Sequence, residues 1–373
     1  MIILGIETSC DETAAAIVRV SGKKLTVLAS VVSSQVALHA KWGGVVPNLA
    51  AREHLKNIQP VLSKTLSQAH LTPEKIDLIA VTHGPGLIPA LLIGTNFAKA
   101  MAYTWKKPLL GIHHIEGHIY ANFISENLEL KTQHSKRKKI KFPVLALVVS
   151  GGHTQLILMK DHLQYKIIGQ TLDDAAGEAF DKVARMLNVG YPGGPAVAKY
   201  AKRGTQNVER KTKNAMRYAL CDMRLPRPMM NSKNFDFSFS GLKTAVLYLV
   251  KKIPKSELEK LKPKICAEFQ QAVIDVLVSK TISAAKTHRP KTILLAGGVS
   301  ANQELRKQLG EAIKNNLPKS TNYELPVTDY CMDNAAMISA AGFFRWNKMT
   351  APKRKKLKDG WKTLQTSANF KLS

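Results

Sequence analysis

Twice along this chain an apolar strand runs into a turn of small or hydroxyl residues, returns as a second strand and gives way to helix. The first instance reads MIILGIET (1–8), TAAAIVRV (13–20) and KLTVLASVVSS (24–34), joined by short polar turns, which predicts a three-stranded antiparallel meander. A helix is expected at 47–70, where apolar residues recur at spacings of three and four. A strand at 76–84 then leads through GPG into a helix at 91–105. The second instance opens at FPVLALVVSGGHTQLILM (142–159), two strands around a Gly-Gly turn, with a third strand at 165–174. Helices at 178–187 and 263–288 follow, then a buried strand, glycine turn and helix start at 291–305, and a closing helix at 335–346. Each unit needs helices to cover its sheet, so the pattern predicts an α/β chain of two related lobes facing a cleft. At 373 residues there is enough chain for both.

Three turns share a character. GIETSCDET (5–13) places Thr8, Ser9, Asp11, Glu12 and Thr13 between two strands, and VVSGGHT (148–154) and LAGGVSAN (295–302) follow others. Small residues let backbone N–H groups approach an anion, and a helix starting just after adds a favourable dipole. DDAAGEAFDK (173–182) leads to YPGGP (191–195), where Asp181 could hold a ribose hydroxyl and Gly193 and Gly194 could let a ligand lie on bare backbone. The plainer alternative is a solvated helix ending in an ordinary loop.

HHIEGH (113–118) raises a metal question. At about 100° per residue, positions four apart on a helix project from one face, so His114 and His118 can share a cation or simply hydrogen-bond locally. Glu116 lies two residues after the first histidine, about 200° around the helix, not adjacent to it as in the zinc-protease signature, so protease chemistry is not supported.

Lys and Arg number 55 against 27 Asp and Glu, a net +28, which points to a polyanionic partner such as tRNA or to a lysine-rich solvated surface. Part of the charge sits in KTQHSKRKKIK (131–141), read as a surface insertion, and KRKKLK (353–358), read as part of a basic tail. Four scattered cysteines, Cys10, Cys221, Cys266 and Cys331, form no CxxC pair and suit a reducing compartment. With no basic n-region and no apolar run of membrane length, the expected location is cytoplasmic, with no membrane partner.

GIETSCDET, THGPGL, HHIEGH, VVSGGHT, LDDAAGEAFDK, YPGGP, FSFSGLKTA, AGGVSAN and CMDNAAM stand in one order over roughly residues 1–347. The chain in this resembles the TsaD family, the tRNA threonylcarbamoyl transferases, and its bacterial branch in particular. That resemblance implies two actin-like (ASKHA, ribonuclease H-like) lobes around a central nucleotide cleft. It places the N-terminal lobe at 1–130 plus 330–347, with the metal histidines and partner docking. The nucleotide-binding C-terminal lobe falls at 142–329, and the insertion at 131–141 and tail at 348–373 depart from the family pattern. It implies one Fe(2+), with Zn(2+) the alternative, on His114, His118 and Asp333, although Asp333 also stands where a helix N-cap would. It further implies an adenylate bound by Val148, Val149, Ser150, Gly151, Gly152, Asp181, Gly194 and Asn302. Asp11 and Glu12 are the catalytic candidates. The implied reaction moves the threonylcarbamoyl group from L-threonylcarbamoyladenylate to N6 of adenosine 37 in ANN-decoding tRNAs, releasing AMP. TsaB and TsaE are the implied partners, and a TsaC-type synthase the source of the adenylate. The rival readings are a phosphotransferase, which would hold Mg²⁺ through carboxylates, and a non-catalytic nucleic-acid binder.

Overall fold

A computed structural model describes residues 1–124, 126–127, 140–210 and 224–372. Most of the insertion at 131–141 and Cys221 lie outside the described residues. The chain divides into two compact units, one of Met1–Phe142, Met159–Tyr165 and Glu324–Ser373, the other of Pro143–Leu158 and Lys166–Tyr323.

In the first unit, β1 (Ile2–Glu7), β2 (Glu12–Ser21) and β3 (Lys24–Ser34) form the expected antiparallel meander. A short helix α1 (Val36–Ala40) precedes α2 (Pro47–Gln68), which opens on the proline, a residue whose missing N–H costs nothing at a first turn. Strand β4 (Leu78–Gly84) returns parallel to β1, α3 (Ile88–Trp105) follows, and β5 (Leu109–His113) pairs parallel to β4. Next comes α4 (His114–Tyr120), and a two-residue strand β6 (Glu126–Asn127) completes the sheet order β5-β4-β1-β2-β3-β6.

The second unit repeats that plan. Strands β7 (Val144–Val149), β8 (Thr154–Met159) and β9 (Tyr165–Gln170) are followed by helices α5 (Ala176–Leu187), α6 (Gly193–Arg210), α7 (Ser240–Lys252) and α8 (Lys255–His288). Strand β10 (Thr292–Ala296) pairs parallel to β7, α9 (Gln303–Asn316) follows, and β11 (Asn322–Glu324) is the edge, giving the order β11-β10-β7-β8-β9. In each unit the first strand lies between its own meander partner and a later parallel strand, so the repetition read from sequence is a topological one. The chain then re-enters the first unit as α10 (Ala335–Lys348), α11 (Ala351–Lys356) and α12 (Gly360–Thr363).

Side-chain alternation on β1 explains how helices cover both faces of the first sheet. Leu4 and Ile6 face one way, into a cluster with Ile58, Val61 and Leu62 of α2 and Ala98 and Met101 of α3. Gly5 faces the other way, against α10, so closely that a Cβ there would fall 2.2 Å from the Ala335 carbonyl oxygen. The stretch AAMISAAG of α10 is wholly buried, and its small residues, Ala335, Ala336, Ser339, Ala340, Ala341 and Gly342, permit that approach. The tail does not dangle as a whole. Trp361 and Leu364 pack on the α2/α3 cluster, and the basic stretch ahead of them stays at the surface.

Candidate metal centre and glycine turns

Residue by residue, HHIEGH divides its labour. His113 ends β5 and caps α4, its Nδ1 accepting the Ile115 N–H at 3.2 Å. Glu116 points to α10, where the Arg345 guanidinium donates to both its oxygens at 2.6–2.9 Å. This is a structural ion pair, and Glu116 is no base over a metal. His114 and His118 turn to a third place, their rings edge to face with centroids 4.6 Å apart. Asp333, just before α10, meets them there.

The Asp333 Oδ1 lies 3.5 Å from His114 Nε2 and 3.1 Å from His118 Nε2. One ligand atom from each of the three falls within 4.8 Å of the others, so the group could hold a metal ion. Ligands about 2.1 Å from one cation stand about 3.0 Å apart in octahedral and about 3.4 Å apart in tetrahedral arrangement, close to the two spacings seen. Both ring nitrogens of His118 are buried without a hydrogen bond, so the short approach to Asp333 lacks hydrogen-bond alignment. A buried imidazole left this way is costly, which fits a site whose missing partner is an ion. Asp333 is not the helix cap. Asn334 takes that role, its Oδ1 accepting the Met337 N–H at 2.9 Å.

Sequence reading missed Glu7. Wholly buried at the end of β1, it accepts the Ser9 N–H at 2.6 Å and the Thr82 hydroxyl at 2.5 Å. Its Oε2 also lies 3.2 Å from His114 Nδ1, which Ser9 Oγ approaches at 3.1 Å. A carboxylate on Nδ1 fixes the tautomer that leaves the Nε2 lone pair for a metal. Burial disfavours the charged ring, yet the Asp333 and Glu7 carboxylates raise His114 to about 9, a measure of how electronegative the place is. The signal was present in the chain: a glutamate at the end of a buried strand must find a partner.

The first turn therefore serves the metal centre. Gly86 passes so near Ser9 that a Cβ would lie 2.6 Å from the Ser9 carbonyl oxygen, and Leu87 N–H donates to that oxygen at 2.8 Å. Asp11 and Glu12 are both 8 % exposed, Glu12 being the first residue of β2 and not part of the turn. Burial, then the neighbouring Asp11 and Asp333 carboxylates, push Glu12 up to about 10. Carboxyl groups gathered so closely hold a proton among them, and a cation relieves the repulsion. His83 packs on Phe370 with the two rings tilted and His153 lies in the β7–β8 turn, so neither joins the group.

The second unit gathers the glycine turns. Val148 and Val149 are wholly buried at the end of β7, while Gly151 and Gly152 are exposed, with open space where a Cβ would be. Gly177, at the start of α5, presses on this turn, since a Cβ would fall 2.5 Å from the Ser150 carbonyl oxygen. Gly297, at φ +87°, brings the end of β10 against Val149 with the same closeness, 2.4 Å. Asn302 accepts the Leu305 N–H at 3.0 Å and donates to Gln270 at 2.9 Å, fixing the start of α9. Asp181 Oδ1 accepts the Gly193 N–H at 2.7 Å, and Gly194 has open space beside its Cα. Turns of bare backbone beside helix N-termini suit an anion.

These features define an α/β protein of two like units, one with a His–His–Asp group and the other with exposed glycine turns. HypF of T. kodakarensis is similar in fold, at a TM-score of 0.55 and 14% identity over 93% of this chain and 48% of that one. The pattern of the tRNA N6-adenosine threonylcarbamoyltransferase family matches residues 26–340, and the chain belongs to that family. A relative of that name from Thermosipho africanus is 47% identical over 348 residues, 93% of this chain and 95% of its own length. One from Bacillus subtilis is 46% identical over 93% of this chain and 91% of its own. The chain is thus a transferase that forms threonylcarbamoyladenosine on tRNA. No helix among the described residues is long and apolar enough to cross a membrane.

Proposed function

We propose that the chain transfers the threonylcarbamoyl group of L-threonylcarbamoyladenylate to N6 of adenosine 37 in ANN-decoding tRNAs and releases AMP. The metal is Fe(2+), with Zn(2+) the alternative, held by His114, His118 and Asp333. When bound there it supplies Lewis acidity toward the acyl carbonyl. The observation that carries the reading is the His114–His118–Asp333 group with Glu7 behind His114, a donor set a magnesium kinase has no use for.

The chain's own residues do the rest. The turn formed by Val148, Val149, Ser150, Gly151 and Gly152 holds the adenylate, with the exposed backbone of Gly151 and Gly152 against its phosphate and Asp181, Gly194 and Asn302 fixing its nucleoside part. The N6 nitrogen forms a bond to the carbamoyl carbon, the carbon–oxygen bond to phosphate breaks, and its electron pair leaves with AMP. The proton lost by N6 passes to Asp11 of the Asp11–Glu12 pair, since Glu12 already holds one. Exocyclic N6 is a weak nucleophile, so placement matters more than basicity. An anticodon-loop base can be splayed out without melting a helix, and the net +28 suits phosphate contact. TsaB and TsaE are the working partners, a TsaC-type synthase supplies the adenylate, and the setting is cytoplasmic.

Metal analysis of anaerobically purified protein, joined to a tRNA nucleoside assay with partners and adenylate present, tests this. Near one Fe per chain and formation of the modified nucleoside are expected, with both lost in His114→Ala and Asp333→Ala while tRNA still binds. Modification persisting in both variants, or transfer of the ATP γ-phosphate to a small metabolite in its place, overturns the reading.

A further inference from the structure

Residues 351–364, APKRKKLKDGWKTL, hold six basic residues and one acid. They lie beyond residue 340, where the family match ends. Asp359 pairs with Lys362 at 3.0 Å. Arg354 is turned back on the chain, donating to the Trp346 carbonyl at 3.0 Å and the Asn347 carbonyl at 3.2 Å with its guanidinium over the Trp346 ring. Lys353, Lys355, Lys356 and Lys358 remain exposed with no acidic partner among the described residues. Like charges three and four apart on a helix repel, so the run costs stability unless an anion binds it.

The run stands on a fixed mount. Gly360 presses on β5, where a Cβ would lie 2.5 Å from the Leu109 carbonyl oxygen, and Trp361 meets Tyr103 edge on. Beyond it His83 Nδ1 donates to the Gln365 carbonyl, the Ser367 N–H to the His83 carbonyl, and His113 Nε2 to the Phe370 carbonyl, each at 3.0 Å. The mount thus ends on the residue preceding the metal-site histidine His114. A tail serving solubility alone needs no such anchoring.

From this placement we infer that Lys353, Lys355, Lys356 and Lys358 form a phosphate-binding surface that grips the backbone of the tRNA substrate, an inference resting on the chain's action on tRNA. A membrane surface is disfavoured because α11, APKRKK, carries no large apolar side chain to insert.

The test is the variant K353Q/K355Q/K356Q/K358Q, which leaves Arg354 and Trp361 in place. Its affinity for unmodified tRNA is measured over a series of salt concentrations, beside kcat, KM and metal content. At roughly 0.7–0.9 per phosphate contact, the slope of log affinity on log salt should shrink by about 3, with affinity down about tenfold or more near physiological salt. The KM for tRNA should rise while kcat at saturation and metal content hold, and arginine at the four positions should restore the slope. An unchanged slope and KM overturns the inference, and so does lost kcat or melting temperature at an unchanged slope. Binding to phosphatidylserine vesicles that the variant loses while its tRNA slope stays intact overturns it as well. If the unaltered protein neither binds nor modifies tRNA, the function itself fails, a result read on the wild type and not on the variant.

Discussion

Glu7 shows how much of the metal centre lies behind its ligands. Replacing it with glutamine keeps the shape, but Ser9 N–H uses Oε1 while the Thr82 hydroxyl and His114 Nδ1 share Oε2, so an amide with one acceptor oxygen cannot serve all three and is a poorer orienter of that ring. Metal affinity of Glu7→Gln should fall about 10–100-fold with the fold intact, read by competition against a chelator of known affinity. An affinity equal to wild type would show that Ser9 alone orients the ring. His162 offers a stability test away from the site. It stacks on Phe344 at 4.3 Å, lies near Tyr120, Phe123 and Phe142, and accepts or donates at the Tyr120 hydroxyl. Asp161 and Lys348, paired with each other at 2.6 Å, are the charges beside it, with Lys23 further out. Burial dominates and lowers His162 from 6.5 to about 4. The fold therefore favours the neutral ring, and the unfolded chain binds the proton first as pH drops. Stability from this residue is complete above about pH 6.5 and lost toward pH 4. Denaturant unfolding at several pH values should show that loss in the wild type, and His162→Phe should flatten that part of the curve. An unaltered curve in the variant would assign the acid loss elsewhere.

At the level of helices and strands, what the sequence shows clearly is what periodicity controls. The helix expected at 47–70 is α2 at Pro47–Gln68, and the closing helix expected at 335–346 is α10 at Ala335–Lys348. The helix expected from 263 begins at Lys255, because Pro263, a residue suited to a first turn, lies inside α8. Strand β5 is five residues, too short to alternate visibly, and runs directly into α4. Helix α6 opens on Gly193, Gly194 and Pro195, so its start reads as a turn and its 18 residues are hidden behind the motif. The metal pair was legible because a four-residue spacing survives in any helix. Its orienting carboxylate was not, since Glu7 and His114 are joined only by the packing of β1 beside the chain that leaves β5. The turns were legible as glycine clusters, but not which glycine bears the close contact. Gly177 and Gly297 both do, and Gly297 adds a positive φ to its 2.4 Å approach to Val149, which together forbid a side chain. Gly297→Ala should cost about 2 kcal/mol or more in chemical denaturation, whereas Gly151→Ala, with open space at its Cβ, should cost far less. Equal losses at the two positions would mean the β7–β10 approach does not constrain the turn. At the far end of the chain, Asn334→Ala should lower stability by about 1 kcal/mol through loss of the α10 cap, with Asp333 left to bind metal.

The first unit as a whole is assembled from chain segments very distant in sequence, and the metal group lies where they meet. His114 and His118 arrive on α4, Asp333 on the segment that re-enters the unit before α10. A cation bound by all three joins those segments in the folded state and has no such site in the unfolded chain. Binding free energy then becomes folding free energy for this unit. At a free metal concentration 100 times its dissociation constant, the gain is about 2.7 kcal/mol. Anaerobic scanning calorimetry should show the melting transition rise as Fe(2+) is added, continuing to climb with metal concentration beyond saturation of the sites. His118→Ala should melt at one temperature with and without metal, since the two remaining ligands, His114 and Asp333, hold the ion weakly. Glu116→Gln gives the contrast that separates metal from scaffold. It breaks the Arg345 pair that ties α4 to α10, so its metal-free form should melt lower, yet the metal-dependent rise should persist because the three ligands are untouched. A rise that vanished in Glu116→Gln but survived in His118→Ala would place the ion elsewhere in the unit and leave the His–His–Asp group a hydrogen-bonded cluster only.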